Sequence, residues 1–159
     1  MIIALGSDHS GFALKKELVE YMESIGLKLI DHGSYTPERV DFPDIARLVC
    51  ESVRKGDAHR GMMLCGSGIG ACMAANKIPG IRASVCHDVY SAHQGVEHDD
   101  MNVLCLGGKI IGPWLAKDII SAFVKAEFSS EEYFRQRLKK LEKLELDYAK
   151  AWVNNHDIP

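Results

Sequence analysis

The chain alternates between two patterns of apolar residues. Short, uninterrupted apolar runs are typical of strands buried on both faces of a parallel sheet. Five such runs predict strands at residues 2–6, 27–31, 61–65, 81–86 and 102–107. Between and after them, apolar residues recur every three or four positions, which is typical of helices that cover such a sheet. These segments predict helices at residues 14–25, 43–53, about 68–77, 88–97 and 112–126.

Five strand–helix units in 159 residues predict an α/β fold, with one five-stranded parallel sheet and helices on both of its faces. In such sheets, ligands bind beyond the carboxyl ends of the strands. We therefore expect functional residues among the polar side chains at those ends. These are Asp8, His9, Asp31, His32, Cys65, His87, Asp88 and Lys109.

The segment from residue 129 to 150 differs because no further strand follows it. Ser129 and Glu132 have the spacing of a capping box, which predicts a helix that begins there. This helix carries an apolar stripe that either a partner subunit or the chain's own domain must bury, and we favour a partner in a homo-oligomer. The stripe consists of Phe134, Leu138, Leu141 and Tyr148, with Leu144 near it. The chain then divides into a domain at 1–128, this helix at 129–150 and a tail at 151–159.

Composition and charge exclude several classes of protein. The net charge of −3, with 47% apolar and 26% charged residues, offers no broad electrostatic attraction to nucleic acid or an anionic membrane. No apolar run is long enough to span a bilayer, and the first residues resemble a strand rather than a signal peptide. We therefore expect a cytoplasmic protein. The five cysteines form no C-x-x-C pair, which argues against a structural zinc site or a disulfide framework.

The glycine-rich turn after the third predicted strand has two interpretations. Gly66, Gly68 and Ala71 fit the G-x-G-x-x-A pattern of a dinucleotide site, and Asp88 lies 22 residues beyond the first glycine. Against a dinucleotide, the turn lies in the third unit rather than the first, the chain is too short for a separate catalytic domain, and Cys65 stands directly before the first glycine. The backbone N–H groups of such a turn, at the start of a helix, also favour developing negative charge.

Cysteine and histidine are the candidate chemical groups. Cysteines at strand ends are usually buried and structural, and the apolar surroundings of Cys50, Cys72, Cys86 and Cys105 predict that role. Cys65 differs because a helix N-terminus favours a thiolate, which suits a base or a nucleophile. His9 and His98 lie in polar surroundings, the latter just past a helix. A metal site at His98, Asp99 and Asp100 would lack a helical H-x-x-x-H pair, so we expect none.

Five segments together resemble the ribose-5-phosphate isomerase B family, which also includes galactose-6-phosphate isomerase subunits. The resemblance covers residue 2 to about 145. Its segments are GSDHSGFALK (6–15), DFPDIA (41–46), CGSGIGACMAANKIPGIRAS (65–84), CHDVYSA (86–92) and EHDDMNVLCLGGKIIG (97–112).

The resemblance implies a Rossmann-like αβα sandwich and an aldose–ketose isomerase that needs neither metal nor cofactor. It implies a homodimer or a dimer of dimers, with each active site shared between two subunits. Cys65 would move a proton between C1 and C2, and Asp8 would exchange protons at the two oxygens. His98 of the neighbouring subunit would open the sugar ring, and His9 and Arg137 would hold the phosphate. The enediolate would be stabilised by the turn Gly66, Ser67, Gly68, Ile69 and Gly70, with the Ser67 hydroxyl.

Three positions depart from the common family pattern. Asp99 replaces an asparagine, Lys109 stands where many members have arginine, and Tyr133 replaces the first of two phosphate-binding arginines, for which Arg135 could compensate. We expect Asp99, Lys109 and Arg135 to contact the substrate. The favoured pair is D-ribose 5-phosphate and D-ribulose 5-phosphate. Erythrulose phosphate, galactose 6-phosphate and allose 6-phosphate are alternatives, as is a non-catalytic sugar-phosphate-binding subunit.

Overall fold

The computed structural model describes the backbone of residues 1–155 and the side chains of residues 1–151. The five strands are β1 (Ile2–Ser7), β2 (Lys28–Asp31), β3 (Arg60–Cys65), β4 (Ala83–Val85) and β5 (Val103–Gly107). The six helices are α1 (Phe12–Ser24), α2 (Phe42–Lys55), α3 (Ile69–Ala75), α4 (Val89–Asp99), α5 (Pro113–Lys125) and α6 (Glu132–Asn155). Each predicted strand and helix is present. β4 has three residues instead of the six predicted.

The strands form one parallel sheet in the order β2-β1-β3-β5-β4. Helices α1, α4 and α5 contribute to the hydrophobic core on one face, and α2 and α3 contribute to the core on the other. The predicted αβα sandwich is therefore confirmed. Among residues 1–155, no helix is both long enough and apolar enough to cross a membrane.

A crevice is expected between β1 and β3. These strands are neighbours in the sheet, but the chain leaves β1 for α1 on one face and leaves β3 for α3 on the other. The loops at their carboxyl ends therefore diverge, which is the arrangement that creates ligand sites in open α/β sheets. Cys65 is the last residue of β3, so it lies at this point.

Helix α6 differs in three ways from the prediction. It begins at Glu132, and the Ser129 hydroxyl accepts the N–H of Glu131 at 3.2 Å, so the predicted capping box is wrong. It continues to Asn155, five residues into the predicted tail, whose residues 156–159 lie outside the described part. Phe134, the first residue of the stripe, is buried in its own chain, whereas Leu141, Leu144 and Tyr148 are exposed. The division of the chain at residue 128 stays a prediction.

Arg60 connects the start of β3 to the end of α5. Its guanidinium donates hydrogen bonds to the carbonyl oxygens of Phe123 and, at 2.7 Å, of Ala126, and it lies 5.1 Å from the centre of the Phe123 ring. These carbonyls belong to the last turn of α5 and its C-cap, where cations are favourable.

Replacing Arg60 by methionine should lower the free energy of unfolding by about 2 kcal/mol, because it leaves those carbonyls without a charged donor. Urea denaturation at one fixed protein concentration measures the loss. Arg54→Met, at an exposed position in the last turn of α2, is the control and should change stability by no more than about 0.5 kcal/mol. Equal losses in the two variants would contradict the capping role.

Candidate active site

The loops that follow β1, β3 and β5 converge at the carboxyl edge of the sheet. The backbone N–H of Asp8 donates to the carbonyl of Leu64 at 3.0 Å, and the N–H of Gly108 donates to the carbonyl of Cys65 at 2.8 Å. A Cβ at Gly11 would lie 2.5 Å from the backbone of Leu64, so only glycine permits the first loop to approach β3 this closely. The three loops therefore form one surface around Cys65.

Asp8 is fixed within the first of these loops. Its side chain is 7% exposed, and Oδ1 accepts the backbone N–H groups of Ser10 at 2.8 Å and Gly11 at 2.9 Å. These bonds hold the carboxylate in the loop that follows β1, next to the end of β3. His9, the next residue, is exposed at the same edge.

Cys65 is held by the glycine turn that the sequence pointed to. The residue is 4% exposed, and its Sγ accepts the backbone N–H of Gly68 at 3.1 Å. Gly68 has φ of +83°, a left-handed conformation that favours glycine, and it is the N-cap of α3. Ser67 and Ile69 are exposed beside it, and the Ser67 hydroxyl accepts the N–H of Ile69 at 3.3 Å. A thiol, a hydroxyl and backbone donors thus share one turn.

Phe42 forms a wall of this turn that sequence reasoning missed. A Cβ at Gly70 would lie 3.0 Å from the tip of the Phe42 ring, so the ring packs on the first turn of α3. Phe42 is the first residue of α2 and follows the long polar loop. The only signal in the sequence was the position of this phenylalanine within the segment DFPDIA.

The other cysteines divide into three buried thiols and one half-buried thiol. Burial raises the pKa of Cys50 to about 12 and that of Cys86 to about 11. Cys72 is half-buried, and hydrogen bonding from the Cys105 thiol lowers its pKa to about 7 despite partial desolvation. The prediction that all four are buried and structural cysteines is therefore wrong for Cys72, which is half-buried on α3. All five cysteines are free thiols.

Three polar residues at the strand ends have structural partners instead. Asp31 accepts hydrogen bonds from the buried ammonium group of Lys15 at 2.7 and 2.8 Å. His32 pairs its Nε2 with the Ser52 hydroxyl at 2.8 Å, and burial lowers its pKa. Asp88 caps α4 through its side chain.

A second group of predicted site residues lies at the opposite edge of the sheet. His98 belongs to the last turn of α4, not to the segment after it as predicted. Its imidazole stacks on the ring of Phe134 in α6, with a centroid distance of 4.1 Å and an interplanar angle of 20°. Phe134 is 6% exposed, and this contact was not predicted because its position in the apolar stripe indicated a partner subunit.

The arginines of α6 lie over aromatic rings close to His98. The guanidinium carbon of Arg137 is 5.3 Å from the centre of the Tyr133 ring and 5.8 Å from that of Phe134. Arg135 lies 5.4 Å from the centre of the Phe128 ring. Both arginines are exposed, as is Asp99. Tyr133 and Phe134 thus support the guanidinium group of Arg137.

The two groups are separated by the length of the sheet. Cys65 pairs with Gly107 at the carboxyl end of β3 and β5, whereas Asp99 precedes Val103 at the start of β5. The four residue steps between these ends alone span about 13 Å. One chain therefore brings Asp8, His9, Cys65 and Ser67 to one edge, and His98, Asp99, Arg135 and Arg137 to the other. Lys109 lies with the first group, where its backbone N–H donates to Gly66 at 3.0 Å.

His98, Asp99 and Asp100 are the candidate ligands for a metal ion at this edge. Within the part of the chain that the structure describes, no three histidine, cysteine, aspartate or glutamate side chains form a group that could hold an ion. The donors near Cys65 are instead backbone N–H groups and a hydroxyl, which suit an oxyanion.

Comparison with known proteins gives consistent results. Ribose-5-phosphate isomerase B of Escherichia coli strain K12 is 40% identical over 143 residues, which cover 90% of this chain and 95% of that protein. D-erythrulose-4-phosphate isomerase of Pectobacterium atrosepticum is 43% identical over 128 residues, covering 79% and 84%. The solved structure of Clostridium thermocellum ribose-5-phosphate isomerase B superposes with a TM-score of 0.90 at 42% identity, covering 93% of this chain and 99% of that one.

The match to a family is equally extensive. Residues 3–141 match the family described as Ribose/Galactose Isomerase. This range contains every residue of the two groups described above. The resemblance predicted from five sequence segments is thereby confirmed. The chain belongs to the Ribose/Galactose Isomerase family.

Proposed function

We propose that this protein is an aldose–ketose isomerase that interconverts D-ribose 5-phosphate and D-ribulose 5-phosphate through an ene-diol. The observation that carries the reaction type is the Cys65 thiol held by the Gly68 N–H at the topological switch point of the sheet. The substrate rests on similarity to relatives named ribose-5-phosphate isomerase B.

In the proposed reaction, the Cys65 thiolate removes the proton from C2 of the open-chain aldose. The electron pair of the C–H bond forms the C1–C2 double bond, and negative charge develops on the aldehyde oxygen. Backbone N–H groups of the turn 66–70, together with the Ser67 hydroxyl, stabilise this charge as an oxyanion hole does. Asp8 exchanges protons between the two oxygens, and Cys65 returns a proton to C1. Every step is a proton transfer, so the chemistry requires no electron acceptor.

The proposed site requires a second copy of the chain. His98 and Arg137 lie at the opposite edge of the sheet from Cys65, so they cannot reach the same five-carbon sugar within one chain. A homodimer, alone or paired into a tetramer, brings the partner's edge to the crevice. His98 then opens the sugar ring, and Arg137 binds the phosphate together with His9.

Exposed apolar side chains support this assembly. Ile69 follows β3, and Ile110 and Trp114 follow β5, so all three flank the Cys65 edge; their exposed fractions are 53%, 58% and 82%. Leu141 and Leu144 are exposed on α6, the helix that carries the arginines. Large apolar residues clustered at the surface are typical of subunit interfaces.

A panel of substrates tests both the activity and the substrate. The purified single chain is expected to convert ribose 5-phosphate with a higher kcat/KM than erythrulose 4-phosphate, allose 6-phosphate or galactose 6-phosphate. Erythrulose 4-phosphate is the main alternative substrate, because the Pectobacterium relative is named D-erythrulose-4-phosphate isomerase. A higher kcat/KM for another sugar phosphate would show that this sugar is the preferred substrate, and the proposed type of reaction would be unchanged. Binding without turnover of any sugar would favour a sugar-phosphate-binding subunit instead.

A further inference from the structure

His87 completes the hydrogen-bond ladder between β4 and β5. The last registered pair of these strands is Val85 with Cys105, so continuation of the ladder would pair His87 with Gly107. β4 ends before that point. The imidazole Nε2 of His87 instead accepts the backbone N–H of Gly107 at 3.0 Å. A nitrogen that accepts this bond carries no proton, so the neutral ring holds its proton on Nδ1.

The backbone at Gly107 supports the turn that carries Ser67 and Gly68. A Cβ at Gly107 would lie 2.8 Å from the carbonyl carbon and oxygen of Ser67. A Cβ at Gly68 would lie 3.2 Å from the carbonyl carbon of Leu106 and 3.3 Å from the nitrogen of Gly107. The peptide between Leu106 and Gly107 is therefore packed directly against the turn.

This peptide connects His87 to the thiol. On one side its N–H is held by the His87 imidazole. On the other side it leaves no room for a side chain at Gly68, whose own N–H donates to Cys65 Sγ at 3.1 Å. Gly107 is buried, so loss of its acceptor would leave an N–H group without a partner or require the peptide to rotate.

We propose that His87 is a positioning residue for the isomerisation, which holds the Gly107 peptide so that the turn stays aimed at Cys65 and the enediolate. The proposal rests on the proposed function, in which Cys65 is the base. The turn stabilises charge that develops in the transition state, whereas His9 and Arg137 bind the phosphate. Misplacing the turn should therefore lower kcat and leave KM nearly unchanged.

Two substitutions at His87 test this role. His87→Ala removes the acceptor, and its kcat is expected to fall about tenfold with KM changed less than about twofold. His87→Gln offers a side-chain carbonyl to the Gly107 N–H and should recover most of the kcat. Alkylation of Cys65 by iodoacetamide at pH 7, followed by peptide mass mapping, should slow about threefold in the alanine variant, because the donor to the thiolate is misplaced. The glutamine variant should react at nearly the wild-type rate.

His59→Ala is the matched control. His59 also accepts a backbone N–H through its imidazole, from Ile2 to Nδ1 at 3.0 Å, but at the opposite edge of the sheet. This variant should lose the same kind of bond and keep wild-type kcat and Cys65 alkylation. Thermal unfolding of all variants shows whether a change in kcat reflects folding.

The proposal is overturned if His87→Ala keeps wild-type kcat and Cys65 alkylation, or if His87→Gln is as impaired as His87→Ala. It is also overturned if KM rises while kcat is unchanged. Failure of the proposed function is a separate outcome, since wild-type protein would then isomerise none of the sugar phosphates. In that case the alkylation rates of the His87 variants still report whether the imidazole positions the turn.

Discussion

Replacement of Cys65 by alanine is expected to lower kcat about 10³-fold while the protein remains folded. The Cys65 thiol accepts the N–H of Gly68 in the glycine turn, and it is the group proposed to remove the proton from the substrate. Alanine fills nearly the same volume, so the core around this residue should lose only about 1 kcal/mol of stability. Steady-state kinetics give kcat, and NMR in D₂O gives the exchange of the substrate C–H proton, which should stop with the turnover.

Cys72 provides the control for this experiment. It lies on α3, one helix turn after Gly68, and hydrogen bonding from Cys105 lowers the pKa of its thiol to about 7. The Cys72 thiol can therefore ionise near neutral pH. Cys72→Ala should retain kcat within about twofold, because its Sγ contacts the carbonyl of Ala83 and not the crevice. Normal proton exchange in Cys65→Ala, or its loss in Cys72→Ala, would refute Cys65 as the base.

A mixture of two inactive variants is expected to regain about a quarter of the wild-type activity. In a two-fold symmetric dimer, each site takes Cys65 from one subunit and His98 from the other. A heterodimer of Cys65→Ala and His98→Ala therefore has one site with both substitutions and one intact site. Random exchange makes half of the dimers heterodimers, and half of the sites in each of those are intact. Activity is measured after the subunits have been mixed under conditions that permit exchange.

The matched control mixes two variants of the same edge. Asp8→Asn keeps an oxygen to accept the N–H groups of Ser10 and Gly11, so the loop should stay folded. Combined with Cys65→Ala, it leaves no site intact, because both residues come from the same subunit, and no activity should return. Mass spectrometry of differently tagged subunits verifies the exchange. Verified heterodimers of Cys65→Ala and His98→Ala without activity would exclude a shared site.

The elements of this fold could be predicted from the sequence because their signals are local. An apolar run such as residues 61–65 needs burial on both faces, and spacing of three or four residues in α2 gives one apolar face. Cys65 was identified for the same reason, since a cysteine between a strand and a glycine turn is visible without any distant contact. Family membership also followed, because the five segments that resemble the family are contiguous stretches of chain.

Local sequence signals did not predict features that depend on a contact with a distant segment of the chain. Ser129 has the spacing of a cap, but its backbone N–H donates to the carbonyl of Glu97 in α4 at 2.9 Å, and the helix begins only at Glu132. Phe134 belongs to an apolar stripe, yet it is buried against His98 of another helix. Cys72 lies in an apolar pattern, but Cys105 of a neighbouring strand changes its ionisation. Each of these outcomes depends on a contact between elements that are remote in sequence.

The sequence by itself determined the elements, the α/β class, the family and the identity of the candidate groups. Only the tertiary structure decided where these groups lie. Because α4 returns from the carboxyl edge of the sheet to its amino edge, His98 ends about 13 Å or more from the level of Cys65. Because β4 stops at Val85, the imidazole of His87 can accept the N–H of Gly107. Strand order, strand length and helix direction are properties of the packed chain, and periodicity along the sequence does not contain them.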